Sequence, residues 1–203
     1  MSNVENVNVN ENANVKQEES NTDPAKADKK KHGLWYWVRD IAIALVLALI
    51  LMQFINPTMV RQNSMENTLH DGDYIFINKR AYTFGEIKHG DIIVFHTNEI
   101  DEKGNDKKLI KRAIALPGDT LEIADGKVFV NDKELKEDYI KEQYTDGDIE
   151  RTVVPSNKVF AMGDNRAYSR DSREGDIGFI DFSELRGKAI FRVYPFGDMG
   201  ILK

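Results

Sequence analysis

One uninterrupted apolar stretch, Ile41 to Met52, constrains this chain more than any other feature. It lies inside "LWYWVRDIAIALVLALILMQFINP", residues 34–57. By itself the run is short for a membrane span and would also suit a buried core helix. Its flanks decide between the two. Trp35, Tyr36 and Trp37 form an aromatic group of the kind that sits at a headgroup layer. Arg39 and Asp40 lie near that end, where a long side chain can reach outward to water. Read as helix from Leu34 to Ile55, the segment would be about 33 Å long at ~1.5 Å per residue, enough to cross a bilayer. The expectation is a single transmembrane signal anchor over residues 34–56.

Charge sets the expected orientation. Lys26, Lys29, Lys30, Lys31 and Arg39 precede the apolar core, and Arg61 alone follows it closely. Basic flanks stay in the cytoplasm, so the N-terminus is expected inside and everything after Pro57 outside the cell membrane. "MQFINPTMV" offers no small-x-small cleavage site, which favours an uncleaved anchor over a removable signal peptide. Residues 1–33 are rich in Asn, Glu and Val and contain no aromatic residue. Such a segment buries too little apolar surface to offset its ordering entropy, and is expected to be a disordered cytoplasmic tail.

From Pro57 onward short β-rich runs alternate with turn residues, the pattern of a mostly β, antiparallel domain over 57–203. The runs are residues 74–79, 91–97, 108–116, 120–123, 127–130, 158–162 and 188–195. Asp125-Gly126 between two of them signals a hairpin. Residues 131–150, "NDKELKEDYIKEQYTDGDIE", read as a polar surface insertion.

Composition removes several kinds of chemistry. The net charge is −6 with no long basic block, which argues against nucleic acid as a partner. The absence of cysteine excludes thiol catalysis, disulfides and thiolate zinc sites. The histidines at 32, 70, 89 and 96 lack metal-ligand spacing. Gly85 to Gly90 has the glycine spacing of a phosphate loop, but Asp91 stands where the lysine belongs.

What remains is Ser64, nine residues beyond Ile55. At full extension nine residues reach only about 30 Å, so this hydroxyl is held near the outer membrane surface. A serine nucleophile needs a proton acceptor. His32 falls on the wrong side of the membrane, His89 and His96 lack context, and His70 stays open as a base. Lys111 in "KKLIKRAIALPGD" is the stronger candidate. Strand alternation gives it the face of Leu109, Ala113 and Ala115, while Lys108, Arg112 and Ile114 point the other way. Desolvation on such a face lowers an amine's pKa. Bringing it from ~10.4 to near 7 corresponds to roughly 4 kcal/mol. A third stretch, "MGDNRAYSRDSR" at 162–173, packs two Asp and three Arg into one loop. There Asp171 could pair with Arg173, and Ser169 could hydrogen-bond the amine of Lys111.

Four blocks in order, behind an amino-terminal anchor, resemble the bacterial type I signal peptidases: "SMENTL" (64–69), "GDIIVF" (90–95), "KRAIALPGD" (111–119) and "GDNRAYSRDSR" (163–173). A single anchor and a compact exterior domain resemble the Gram-positive form. The resemblance implies a membrane-bound serine endopeptidase with Ser64 as nucleophile and Lys111 as general base. It implies that Ser169 positions Lys111 and that Asp171 and Arg173 support the site as an ion pair. It also implies a fold of two antiparallel sheets and substrates with small residues at −1 and −3. The partners it implies are signal-peptide-bearing preproteins, the lipid bilayer and the secretion machinery, and no metal or other cofactor is needed. Asn67 departs from the proline usual in the first block, and Gln62 from the usual Gly or Ser two residues before the nucleophile. The first departure leaves open an inactive tethered relative acting as a binding or assembly module.

Overall fold

A computed structural model of the protein describes residues 33–100, 104 and 106–203. The expected tail over 1–33, apart from Gly33, lies outside the described residues, as do His32 and the lysines at 26, 29, 30 and 31. The described chain falls into two compact units, residues up to Ile41 and residues from Ala42 onward.

Helix α1 covers Leu34–Phe54. Its window Trp35–Phe54 is long and apolar enough to cross a membrane, and none of that window is buried. At its amino-terminal end Arg39 pairs with Asp40 at 2.8 Å and lies 5.1 Å from the ring centroid of Tyr36. The helix ends one residue earlier than expected. Ile55 and Asn56, assigned above to the span, instead open strand β1 (Ile55–Met59). Pro57 explains the change: it cannot donate a helical hydrogen bond, and it disfavours helical geometry at Asn56. Having no N–H, it suits an outer strand, and β1 pairs only with β2 (Tyr74–Asn78).

The fold beyond the helix is mostly β and wholly antiparallel, as expected. The remaining strands are β3 (Ile92–Ile100), β4 (Asp106–Ala115), β5 (Thr120–Ala124), β6 (Lys127–Val130), β7 (Lys133–Glu134), β8 (Ile149–Val153), β9 (Lys158–Met162), β10 (Ile180–Asp181), β11 (Leu185–Tyr194) and β12 (Gly200–Ile201). The larger sheet runs β1-β2-β11-β3-β4-β9-β10, with β12 against β11, and the smaller runs β7-β6-β5-β8. The Asp125-Gly126 hairpin joins β5 to β6, with φ of 51° and 76° at its two central residues. Strand β8 is short and half exposed at the edge of the smaller sheet, so its sequence lacks clean alternation.

Two core clusters flank β4. Leu109 and Ala113 pack with Ile93, Phe95, Val159 and Ala161. Ile114 packs with Leu121, Ile123, Phe160 and Met162. Ala115, expected on the face of Leu109 and Ala113, joins the Ile114 cluster instead. The β4–β9 register shifts between Ala113 and Ala115, and a bulge of this kind breaks strict alternation.

Gly187 marks a close approach in the larger sheet. Its φ is 144°, and a Cβ there would overlap the carbonyl of Asn78 on β2. Gly187→Ala is expected to destabilise the fold by roughly 1–3 kcal/mol, through strain at a position only glycine tolerates. A thermal melt should show a Tm lower by several degrees. An unchanged Tm would mean that the strand spacing relaxes freely there.

Candidate active site

The loop between β1 and β2 carries Ser64, and apolar anchors hold it in place. Met65 and Leu69 are completely buried and pack with Val60, Ile75, Ile77 and Val94. The Leu69 amide donates to the Met65 carbonyl at 2.7 Å, and the Gly72 and Val60 amides close the neck of the loop. Ser64, immediately before the first of these anchors, stays partly exposed. Asn67 keeps its turn, with its side-chain amide donating to the Ile140 carbonyl at 3.3 Å.

Lys111 reaches this loop from β4. Its Nζ lies 2.7 Å from Ser64 Oγ and donates to the Ile110 carbonyl at 3.0 Å. The residue is 2% exposed. No other hydrogen-bond acceptor meets this nitrogen among the described residues. That set of contacts suits a neutral amine, whose lone pair can accept the serine proton while an N–H is donated. Either charge state leaves one N–H without an acceptor here, and that shortfall costs more for a buried ammonium than for a neutral amine. Burial is the main cause that lowers the Lys111 pKa, to about 8. The nearby carboxylates of Asp171 and Asp164 oppose the shift, while Arg173 and Lys107 add to it.

The strand neighbour of Lys111 holds the same loop. Arg112, 2% exposed, forms a bidentate pair with fully buried Asp164 at 2.9 and 2.7 Å. Its remaining N–H groups go to Thr68 Oγ1 and to the carbonyls of Gly90 and Lys203. The five guanidinium donors are thus all used. Thr68 in turn donates to Asp164 at 2.5 Å. Lys111 and Arg112 point to opposite faces of β4, so the nucleophile loop straddles the strand. It meets the amine at Ser64 and the guanidinium at Thr68.

The loop 163–173 closes the site from behind. Asp171 is fully buried and accepts from Arg173 at 2.8 and 3.0 Å and from the Gly163 amide at 3.0 Å. Burial pushes the Asp171 carboxyl up, but the Arg173 guanidinium, the Ser169 hydroxyl and the Gly163 amide together hold its pKa below the usual value. Arg173 also reaches the carbonyls of Arg166 and Asp146. Gly163 has no room for a side chain, since a Cβ would overlap Ser169 Oγ and the Ser64 carbonyl. Ser169 Oγ is buried there beside the Asp171 carboxylate, whose pKa it helps to lower, and among the described residues it makes no hydrogen bond to Lys111 Nζ. The direct bond from Ser169 to Lys111 envisaged from sequence is therefore not made. His70 is exposed, and among the described residues no hydrogen bond joins its imidazole to Ser64.

Sequence reasoning missed Thr68, Arg112, Asp164 and Asn165. The Asn165 amide donates to the Ser64 carbonyl at 3.1 Å, and its side chain donates to the Asn63 carbonyl at 3.0 Å. A signal for Arg112 existed: an arginine in an apolar strand needs a buried carboxylate. The segment 131–150 lies largely at the surface, as expected, yet two of its residues reach the site. Tyr139 lies under the Arg112 guanidinium, 4.0 Å from its ring centroid, and Glu137 pairs with buried Arg166.

Ser64 and Lys111 open onto a cleft of about 1380 Å³, lined in part by Met59, Val60, Ile77, Val94 and Ile110. Strand β4 pairs with β3 from Asp106 to Arg112, but with β9 only from Arg112 onward. Among the described residues, the second edge of Asp106–Lys111 carries no strand.

Residues 34–194 match the family described as "Signal peptidase, peptidase S26". The chain is 38% identical to "Signal peptidase I" of Bacillus licheniformis, over 86% of this chain and 96% of that protein. It is 36% identical to "Signal peptidase I T" of Bacillus subtilis (strain 168), over 88% and 95% of the two chains. It is 38% identical to "Signal peptidase I S" of the same strain, over 84% and 94%.

The lowered pKa of Lys111 has a consequence for stability. The unfolded amine titrates near 10.5 and the folded one near 8. Below pH 8 the fold therefore carries the cost of a buried cation, and that cost disappears as pH rises to 10.5. Lys111→Met removes the charge and should be more stable than the wild type at pH 7. In urea denaturation, its advantage should shrink by ~3 kcal/mol between pH 7 and pH 11. A constant gap would show that the folded amine titrates like a free one.

Proposed function

The chain belongs to the signal peptidase family, peptidase S26, and we propose that it removes signal peptides from exported preproteins with Ser64 as nucleophile and Lys111 as general base. The single observation that carries this assignment is the 2.7 Å separation of Lys111 Nζ and Ser64 Oγ in a site that excludes water from the amine. Ser169, Asp171 and Arg173 are assigned supporting roles. The Asp171–Arg173 pair holds the loop, and Ser169 packs where Gly163 brings that loop against Ser64.

The proposed sequence is as follows. Helix α1 anchors the enzyme in the cell membrane, with the domain from Pro57 onward on the exterior. The region of the preprotein around its cleavage site extends along the open edge of β4 and adds as a strand, using main-chain hydrogen bonds. Apolar walls of the cleft accept small side chains beside the scissile bond. Neutral Lys111 takes the Ser64 proton as Ser64 Oγ bonds to the scissile carbonyl carbon. The amide of Ser64, which meets no protein acceptor among the described residues, donates to the resulting oxyanion. The ammonium of Lys111 then gives its proton to the leaving amine, and the C–N bond breaks. Neutral again, Lys111 takes a proton from water as the water oxygen bonds to the acyl carbon; the Ser64 Oγ–C bond then breaks, the Lys111 ammonium returns the proton to Ser64 Oγ, and the signal peptide leaves with a free carboxylate.

Burial does two things for this chemistry. It sets the amine's pKa within reach of neutral pH, so that roughly one molecule in ten carries a neutral base at pH 7. It also fixes the amine against the hydroxyl, so that little reorganisation precedes proton transfer.

Cleavage of a preprotein by the detergent-solubilised full chain tests the assignment. Ser64→Ala and Lys111→Ala should each lower kcat/KM by at least about 10³-fold, and His70→Ala should leave it within about twofold. The wild-type kcat/KM should rise about tenfold per pH unit up to a midpoint near 8 and then level off, because the working form of Lys111 is deprotonated. Retained cleavage in Lys111→Ala, or loss in His70→Ala, would transfer the base role to the imidazole.

A further inference from the structure

We propose that Lys79, Lys108 and Arg186, at the rim of the cleft, bind the headgroup of an anionic phospholipid; the proposal rests on the reading of α1 as a membrane anchor. All three residues are exposed and line the same cleft as Ser64 and Lys111. Lys79 is tied to the end of the helix, since its amide donates to the carbonyl of Phe54, the last residue of α1, at 2.9 Å. An anchor that ends at Phe54 therefore sets Lys79 at the headgroup layer, where a lysine stem can extend along the interface. Arg186 precedes Gly187, which packs against the Asn78 carbonyl, and Asn78 is the residue before Lys79. Lys108 and Arg186 share one neighbourhood: both bear on His96, whose pKa is held below its usual value by burial and then by these two cations.

The three cations have no carboxylate partner among the described residues. Arg186 reaches only the carbonyls of Ser183 and Leu185. Lys107, which also lines the cleft, differs from the three in pairing with Glu99. Among the described residues Asp106 is the one carboxylate residue lining the cleft, and it faces His96. A chain of net charge −6 thus places, among the described residues, three cations without a carboxylate partner at the rim of the cleft. A phosphodiester carrying net negative charge matches that set, with paired N–H donors from the guanidinium and point charges from the lysines. A zwitterionic headgroup brings its own ammonium and is disfavoured.

The test uses the full chain in uncharged detergent micelles, titrated with phosphatidylglycerol or phosphatidylcholine and read by native mass spectrometry. The wild type should retain phosphatidylglycerol over phosphatidylcholine by on the order of tenfold. Lys79→Gln/Lys108→Gln/Arg186→Gln should bring the ratio close to one by losing phosphatidylglycerol alone. Lys29→Gln/Lys30→Gln/Lys31→Gln, which removes basic charge before the anchor, should keep the preference. No preference in the wild type, or a preference that survives the cleft triple variant, overturns the proposal. So does a triple variant that keeps its lipid ratio but stops cutting preproteins with Asp beside the cleavage site, because the cations then serve the substrate. Release of the chain from membranes by alkaline carbonate would instead refute the anchor itself.

Discussion

An amine and a hydroxyl 2.7 Å apart, with the amine almost wholly shielded from water, set the terms for the rest of this structure. A lysine in such a place is expensive while charged, and the protein does not relieve it with a direct carboxylate partner. The carboxylates of Asp171 and Asp164 act on Lys111 only at a distance, and burial prevails over them. Each is occupied elsewhere, Asp171 with Arg173 and Asp164 with Arg112. Those two arginines neutralise the acids that would otherwise hold the ammonium charged. Two buried ion pairs therefore support an unpaired amine.

The same pairs organise the backbone around it. Arg112 and Asp164 tie β4, the nucleophile loop and the loop 163–173 together through Thr68. Asp171 and Arg173 close the latter loop on itself and on Asp146. Gly163 then lets the loop approach the carbonyl of Ser64 more closely than any side chain would allow. Breaking either pair would leave a charge buried alone, at a cost of about 3–5 kcal/mol. The anchoring of Met65 and Leu69 in the core completes the arrangement, since it fixes the backbone on one side of Ser64 without covering the hydroxyl.

Much of this was legible in the sequence, and the reasons are specific. Strands β6 and β9 fall on the residues expected, because their apolar runs are bounded by unambiguous turn residues. The apolar helix was visible in its flanks, although Pro57 turns the chain into β1 sooner than apolarity alone suggests. Lys111 stood out because a lysine on an apolar face needs a reason. Its neighbour Arg112 obeys the same rule, but alternation aims it at the face opposite Lys111, which hides its bearing on the site. The loop itself wraps to that side of the strand, which no local pattern reveals. The segment 131–150 lies largely at the surface, as its composition suggests. That composition does not reveal the contacts of Tyr139 with Arg112 and of Glu137 with Arg166, whose partners lie far away in the chain. Ser169 illustrates the opposite limit, where a block of residues pointed to the right loop but not to the hydrogen bond.

The central claim concerns the charge state of one nitrogen, and direct observation of that nitrogen is the sharpest test. The full chain in micelles, labelled with 15N-lysine and carrying Ser64→Ala to prevent self-digestion, can be titrated by NMR while the Nζ resonance of Lys111 is followed. A buried neutral base predicts a midpoint near 8, well separated from the other lysines. A Lys111 resonance that remains that of an ammonium beyond pH 10 would contradict it.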